Sequence, residues 1–183
     1  MTTLKTLVML CAAALLTACS LMPAQDFPRE NSVDVDRYMG KWYVIAHIPP
    51  SKTKNAYNSI ETYTQTKPGV VDTVFTWREG SFDGKRKRLN PTGYVLDEGN
   101  GAVWGMQIYW PLRLQYVISY VDDDYDTTIV AREKRDVAWV MARTPQIDDA
   151  TYDALVQKLD DYGYDISELR KVPQQPPDQR DDG

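Results

Sequence analysis

From Lys41 to Arg143 the chain is a succession of short runs in which apolar and polar residues alternate, each closed by turn residues. Alternation with a period of two marks strands that bury one face. The runs predict eight strands, near 41–48, 57–65, 70–78, 87–96, 103–109, 114–121, 127–132 and 138–143. Turn chemistry separates them at Lys67-Pro68-Gly69, at 80–84, at 97–101 and at Asp122-Asp123-Asp124. The period then changes. Across 149–162, Tyr152, Leu155, Val156, Leu159 and Tyr162 recur at helical spacing, with Asp148 placed to cap the start and Gly163 to end the helix. A last short strand is expected at 169–172. Eight strands followed by one amphipathic helix predict an all-β fold: an eight-stranded antiparallel up-and-down barrel with a C-terminal α-helix packed on its outside.

The ends of the chain break this pattern. Residues 1–18 combine Lys5, an apolar run from Leu7 to Leu16 and small residues, which reads as a secretory signal peptide. The run is too short for a bilayer span, which needs about 20 residues. Leu16-Thr17-Ala18-Cys19 resembles a bacterial lipobox. That resemblance implies cleavage before Cys19, lipidation of its thiol with fatty acyl chains such as palmitate, and, with Ser20 next, lodging in the outer membrane through the Sec pathway. The anchor would be practically permanent, because each buried methylene contributes about 0.8 kcal/mol. Residues 19–33, with two prolines and no periodicity, read as a lipidated tether. Residues 34–172 form the domain, and 173–183 form a Pro-rich tail without a core contribution.

Composition narrows the function classes. The formal charge of −5 drops to −6 when Lys5 leaves with the leader, which disfavours nucleic-acid partners. One His and two Cys, both at or before Cys19, exclude a His/Cys zinc site and any disulfide within the mature chain, and make a Cys/His nucleophilic pair untenable. Phosphate-binding glycine loops are absent from the sequence. No cofactor and no metal are expected. The acidic run Asp122 to Asp126 lacks the spacing of a calcium loop.

Three signatures stand at barrel positions: Gly40-Lys41-Trp42-Tyr43 opening the first strand, Asp122-Asp123-Asp124-Tyr125 between the sixth and seventh, and Arg143-Thr144-Pro145 closing the eighth. Together they resemble the lipocalin family over about residues 34–175. With the lipobox, the run Trp139 to Pro145 and the terminal helix, the chain looks most like bacterial outer-membrane lipoprotein lipocalins related to apolipoprotein D. The resemblance implies that Gly40, Trp42, Asp124, Tyr125 and Arg143 are structural, with Trp42 plugging the closed end and Arg143 lying across its indole, a contact worth about 0.5 to 2 kcal/mol.

The family's barrel holds its ligand in the lumen, and strand alternation selects the lining. With Trp42 and Arg143 inward, parity turns Val44, Ala46, Ile48, Trp139 and Met141 inward, and the family pattern adds Trp104, Met106, Ile108, Tyr116, Ile118, Tyr120, Ile129 and Ala131. His47 falls on the outward parity. This apolar, aromatic lining suits a fatty acid or lysophospholipid. Storage, transport or envelope maintenance of lipid is the expected role, the membrane being reached through the Cys19 anchor. The alternatives are a side-chain-filled barrel with a structural envelope role and, more remotely, a lipocalin-fold enzyme, for which the mature chain offers no lumen Cys. Neither monomer nor dimer is favoured. Finally, Lys85-Arg86-Lys87-Arg88 lies in the third connection and would make a basic lip for anionic headgroups around the mouth, opposite the acidic turn at the closed end. A solvated hairpin tip is the bland alternative.

Overall fold

The computed structural model describes residues 26–96 and 100–180. Cys19, the leader and part of the 97–101 turn lie outside the described residues. The elements run α1 (Val35–Tyr38), β1 (Gly40–Ile48), β2 (Ala56–Lys67), β3 (Val70–Glu79), β4 (Arg86–Leu89), β5 (Thr92–Val95), β6 (Val103–Tyr109), β7 (Leu112–Val121), β8 (Thr127–Ala131), β9 (Ala138–Ala142), α2 (Asp149–Asp161) and β10 (Arg170–Lys171). Every strand pairs antiparallel with its neighbour, and β1 pairs with both β2 and β9, which closes an eight-staved barrel.

The fourth stave departs from the expected continuous strand at 87–96. It breaks at Asn90-Pro91 into β4, paired with residues 75–78 of β3, and β5, paired with residues 70–72. Proline has no N–H for the ladder and interrupts a strand, although its carbonyl still accepts the Thr73 N–H at 3.0 Å. Among the described residues β4 pairs only with β3, so the wall between β4 and β6 is left open beside Pro91.

The helix forms as its sequence dictates. Asp148 accepts the Thr151 N–H at 2.8 Å as the N-cap, and Gly163, at φ +80°, ends the helix in the left-handed region. Leu155 and Leu159 are buried against Ile45, Ile129, Ala131, Ala138 and Val140 on the outer barrel wall. A barrel buried on the inside alone would leave this apolar patch in water; α2 covers it.

Both flanks differ from the sequence reading. The stretch expected as a tether is docked from its described start: Phe27 and Val33 are buried, the Glu30 N–H donates to the Ile118 carbonyl at 3.1 Å, and the Glu30 carboxylate accepts the Val121 N–H at 3.1 Å. The expected loose tail is stitched down. β1 and β2 diverge above Tyr43, and β10 with residues 173–180 fills the gap. Gln174 Nε2 donates to the carbonyls of Val44 and Ser59 at 2.7 and 3.0 Å, one on each parted strand. Asn58, at φ +47°, exchanges hydrogen bonds with Gln175 through both side-chain atoms, at 2.6 and 2.8 Å. Hydrogen bonds to parted backbone, not apolar periodicity, hold this segment, which is why a polar, proline-rich stretch concealed it.

A candidate ligand-binding lumen

The closed end is built around Trp42, which is fully buried and donates its indole N–H to the Tyr38 carbonyl at 2.8 Å. The Arg143 guanidinium lies 3.8 Å above the Trp42 ring. Its donors reach the carbonyls of Tyr125, Lys41 and Arg37 at 3.1, 3.0 and 2.7 Å, tying three chain segments together. Gly40 stands at φ +96°, and a Cβ there would sit 3.4 Å from Arg143 Nη1, so both backbone and space favour glycine. Tyr125, at φ +63°, accepts the Asp34 N–H at 2.8 Å and stacks under Arg37. Asp124, expected to mark the turn, is exposed; Asp122 holds it, accepting the N–H groups of Asp126 and Thr127 at 2.7 and 2.8 Å.

Above this plug the lower lumen is packed solid. Tyr38, supplied by α1, meets the rings of Trp42, Tyr63 and Trp104 at centroid separations of 5.0, 5.7 and 5.7 Å. Val44, Ile118, Trp104 and Met141 point inward as expected but are fully buried in this cluster. The filled barrel is thus the correct description of the closed half.

The open half holds a cavity of about 200 Å³. Met106, Ile108, Tyr116 and Trp139 line it, as parity implied, together with Pro50, Phe75, Pro91, Leu114 and Val137. Two charged residues also border it, Glu61 and Arg132.

Five expected lining residues face the other way. In β1 the pairing with β9 slips between Val44 and Ala46, a bulge that places one extra residue on β1 and inverts parity beyond it. Ala46 and Ile48 therefore pack in the outer cluster beneath α2, while His47, expected outside, pairs with Trp139 and shares its face. His47 is fully buried with neither ring nitrogen hydrogen-bonded, and burial, aided by the nearby Arg170 charge, lowers its pKa to about 4. A second slip, between Ile118 and Tyr120 where β7 meets β8, turns Tyr120 outward under Lys158. Ile129 and Ala131 join the outer cluster, and Val130 takes the inward position.

Glu61 is the residue that sequence reasoning missed. It pairs with Trp42 on one side and Phe75 on the other, and opposite residues of antiparallel strands share a face, so its carboxyl points into the lumen. It is 7% exposed. Oε2 accepts the Tyr63 hydroxyl, and Tyr63 and Tyr116 hydroxyls lie 2.6 Å apart. Since the Tyr63 proton goes to Glu61, Tyr116 donates to Tyr63, and the chain of hydroxyls ends on the carboxyl. Burial pushes the Glu61 pKa up to about 7 against the lowering effect of the Tyr63 hydrogen bond, and the phenols of Tyr63 and Tyr116 are pushed up by the same burial. The signal was available in the Trp42 register: whatever faces the plug from β2 is inside, and that residue is Glu61 rather than Ile60.

At the mouth, the four consecutive cations do not act as one cluster. Lys87 pairs with Trp77 on the lumen-side face and reaches Glu79 at 3.2 Å, while Arg86 and Arg88 alternate to the outer face. Lys85 is an exposed loop residue. The cations that converge on the rim are Lys87, Lys52 and Lys54, around one groove, with Arg132 in the cavity wall. Arg132 Nε is buried without a partner, and Nη1 lies 3.5 Å from Asp136. Beside the rim the β6–β7 hairpin exposes Tyr109, Trp110 and Leu112, with Trp110 86% exposed. Among the described residues no group of His, Cys, Asp and Glu is arranged to hold a metal ion.

This geometry agrees with what comparison reveals. Residues 33–174 match the Lipocalin-like domain family. The chain is 34% identical over 154 residues to temperature-induced lipocalin-1 of Arabidopsis thaliana, covering 79% of this chain and 81% of that one. It is 25% identical over 164 residues to the outer membrane lipoprotein Blc of Escherichia coli K12, covering 89% and 92%. Among solved structures, insecticyanin from the tobacco hornworm Manduca sexta superposes with a TM-score of 0.63 at 13% identity over 82% of this chain and 87% of its own. Lobster apocrustacyanin A1 gives 0.61 at 13% identity, over 82% and 92%. The Trp42–Arg143 plug, the closed barrel, the external helix and the family match together make this chain a member of the lipocalin family, whose barrels bind small hydrophobic ligands.

Proposed function

We propose that the open half of the lumen takes up a single-chain lipid, a fatty acid or lysophospholipid, and that Cys19 anchors the protein to the outer membrane so that lipid is stored or moved at the envelope. The observation that carries this reading is the half-open cavity between Phe75, Met106, Tyr116 and Trp139. An acyl chain there would gain about 0.8 kcal/mol per buried methylene, offset by ordering and association costs. The unpartnered Arg132 Nε at the cavity wall, with Lys52, Lys54 and Lys87 around the rim, suits a carboxylate or phosphate left at the mouth. The exposed Tyr109, Trp110 and Leu112 support exchange at a lipid surface, where aromatic residues partition favourably. The relative described as an outer membrane lipoprotein supports the anchor.

Organic extraction of the protein purified without its leader, followed by mass spectrometry, tests the ligand. A stoichiometric acyl-chain lipid is the expected result, and an empty extract with no intrinsic fluorescence response to added decanoate or lysophospholipid overturns it. For the anchor, Cys19→Ala should move the protein out of the outer-membrane fraction and abolish palmitate labelling; retention of both shows the anchor to lie elsewhere.

A further inference from the structure

Glu61 is unexplained by an acyl-chain site. A lumen built only for hydrocarbon has no use for a buried carboxyl, whose charged form is costly without a partner. Among the described residues no Lys or Arg lies within ion-pair distance of it, and Arg143 directs its donors to three backbone carbonyls. What surrounds the carboxyl is instead electron-rich. Tyr116, Phe75 and Trp139 line the cavity with Glu61, Phe75 being its neighbour on β3, and beneath them Trp104 stacks on Tyr116 at 5.4 Å while Tyr63 meets both edge-on at 5.7 and 6.3 Å. Aromatic faces carry negative potential that attracts cations, best of all an ammonium or its methylated forms. The hydroxyls of Tyr116 and Tyr63 donate in sequence toward Glu61, so their protons favour the ionised carboxylate that a cation would face. With Arg132 and Lys87 outside and Glu61 inside, the cavity is polarised along its axis, so the potential energy of a cation is lowest at the floor.

We propose that the cavity floor is an ammonium subsite: an amphipath with a protonated or quaternary amine head enters head first, setting its charge against Glu61 and the surrounding rings while its alkyl chain fills the apolar open half. This rests on the lumen being the ligand site, as proposed above, and it names a ligand class that the basic rim alone would not suggest. An anionic head is suited to the rim and a cationic head to the floor. Binding restores the Glu61 charge, so a proton leaves as a quaternary amine enters near neutral pH. The titratable and charged groups facing the lumen around Glu61 are Tyr63 on its own strand, Tyr38 from α1, His47 from β1, Tyr116 from β7, Lys87 from β4 and, at the two ends, Arg143 and Arg132. Burial raises the three phenols and lowers His47 to about 4, so none of these four exchanges a proton between pH 6 and 8.

The test uses four probes with one chain length: decyltrimethylammonium, decylamine, decanol and decanoate, titrated by intrinsic fluorescence and calorimetry against the wild type, Glu61→Gln and Tyr63→Phe, with melting temperature as the folding control. Glu61→Gln should weaken decyltrimethylammonium about tenfold or more while changing decanol by less than about threefold. In the wild type the quaternary amine should bind more tightly at about pH 8 than at about pH 6, with proton release visible in buffers of different ionisation enthalpy, a readout that needs no variant. Equal losses for decanol and the amine, or no proton release, overturn the subsite. If decanol and decanoate bind but the amines do not, the subsite fails and the lipid reading stands. If none of the four binds, both fall.

Discussion

The two halves of this barrel are made from similar residues and end in opposite states. In the closed half Tyr38, Trp42, Trp104, Met141 and Ile118 leave no space, and the polar atoms of the plug are matched: the indole N–H, the Arg143 guanidinium and the Asp122 carboxylate all have backbone partners. In the open half the packing stops, and charged or titratable groups are left unmatched or shifted, namely both His47 nitrogens, Arg132 Nε and Glu61 with its raised pKa, whereas the unpartnered atoms elsewhere in the barrel are the neutral hydroxyls of Ser59, Thr73 and Ser119. Close packing with satisfied polar groups yields stability, whereas space with unsatisfied groups is the condition for binding. The contrast separates scaffold from site within one continuous core.

The sharpest way to break the comparison is to attack the plug. Trp42→Ala removes a large, fully buried ring from the packed half and leaves Arg143 without its stack, and stability should fall by about 3 to 5 kcal/mol. Denaturant unfolding followed by Tyr and Trp fluorescence measures it. Near-wild-type stability would mean that the closed half is not the scaffold.

Glu61 tests the open half in the opposite direction. Its pKa rises from an ordinary 4.5 in the unfolded chain to about 7 in the fold, chiefly by burial. A raised carboxyl contributes stability that is complete below pH 4.5 and is lost as pH rises through 7. Glu61→Gln removes that loss, so the variant should be more stable than the wild type by up to about 3 kcal/mol at about pH 8 and indistinguishable from it at about pH 4. His47 has the reverse sign. Its lowered pKa supplies stability above 6.5 that is lost as pH falls through about 4, so His47→Phe should blunt acid unfolding without affecting the alkaline side. A substitution of Glu61 that destabilises at both pH values would place the carboxyl among the scaffold groups.

The sequence was most legible where the same pattern is repeated by independent signals. Alternation, turn residues and the three signatures agree on the barrel, and Asp148, Leu155, Leu159 and Gly163 delimit the helix. It was least legible where one residue breaks a period. The slips beside Ala46 and Tyr120 each place an extra residue on one strand, and no composition rule marks Ile45 or Ser119 as the point of insertion. The lining assignments beyond each slip, Ala46, Ile48 and Tyr120, were inverted, and on the unslipped β8 the inward position is Val130, opposite Trp139, so Ile129 and Ala131 went to the helix-covered face. Pro91 carried the signal for the break in the fourth stave, but the strand was expected to run unbroken through it. Glu61 hid because a carboxylate flanked by Ile60 and Thr62 reads as the solvent side of an alternating strand, and only the cross-strand partner Trp42 says otherwise. The flanks hid for another reason: Phe27, Glu30, Gln174 and Gln175 are docked by isolated contacts and hydrogen bonds to backbone, which leave no periodicity behind.

That docking gives a smaller test of which half the tail serves. Asn58 binds Gln175 through both side-chain atoms, and Arg180 reaches Asn58 Oδ1 at 3.3 Å. Asn58→Ala should lower stability by about 1 to 3 kcal/mol, because partly buried partners lose their bonds and alanine is strained at a positive φ. Asn58→Gly, which relieves the strain and still removes the side chain, separates the two contributions. Recovery of most of the loss in the glycine variant would assign it to the backbone and demote the tail to a passive cover.

The smallest effect concerns the rim. Lys87 is engaged by Glu79 and Arg132 by Asp136 through Nη1, but Arg132 also stands in the cavity wall with a buried, unpartnered Nε, so the two cations should differ although both line the mouth. An exposed paired lysine near an anion contributes little and is screened by salt, while a guanidinium in a less hydrated wall forms a stronger charge-assisted bond. Arg132→Gln should weaken decanoate by about 1 kcal/mol or more with little salt dependence, and Lys87→Gln by less, with its effect vanishing at high salt. Titration of decanoate and decanol against both variants at low and high ionic strength measures the difference. If the two variants behave alike, or if decanol is affected as much as decanoate, the head of an anionic ligand does not rest on Arg132, and the rim serves the fold's solubility rather than its lumen.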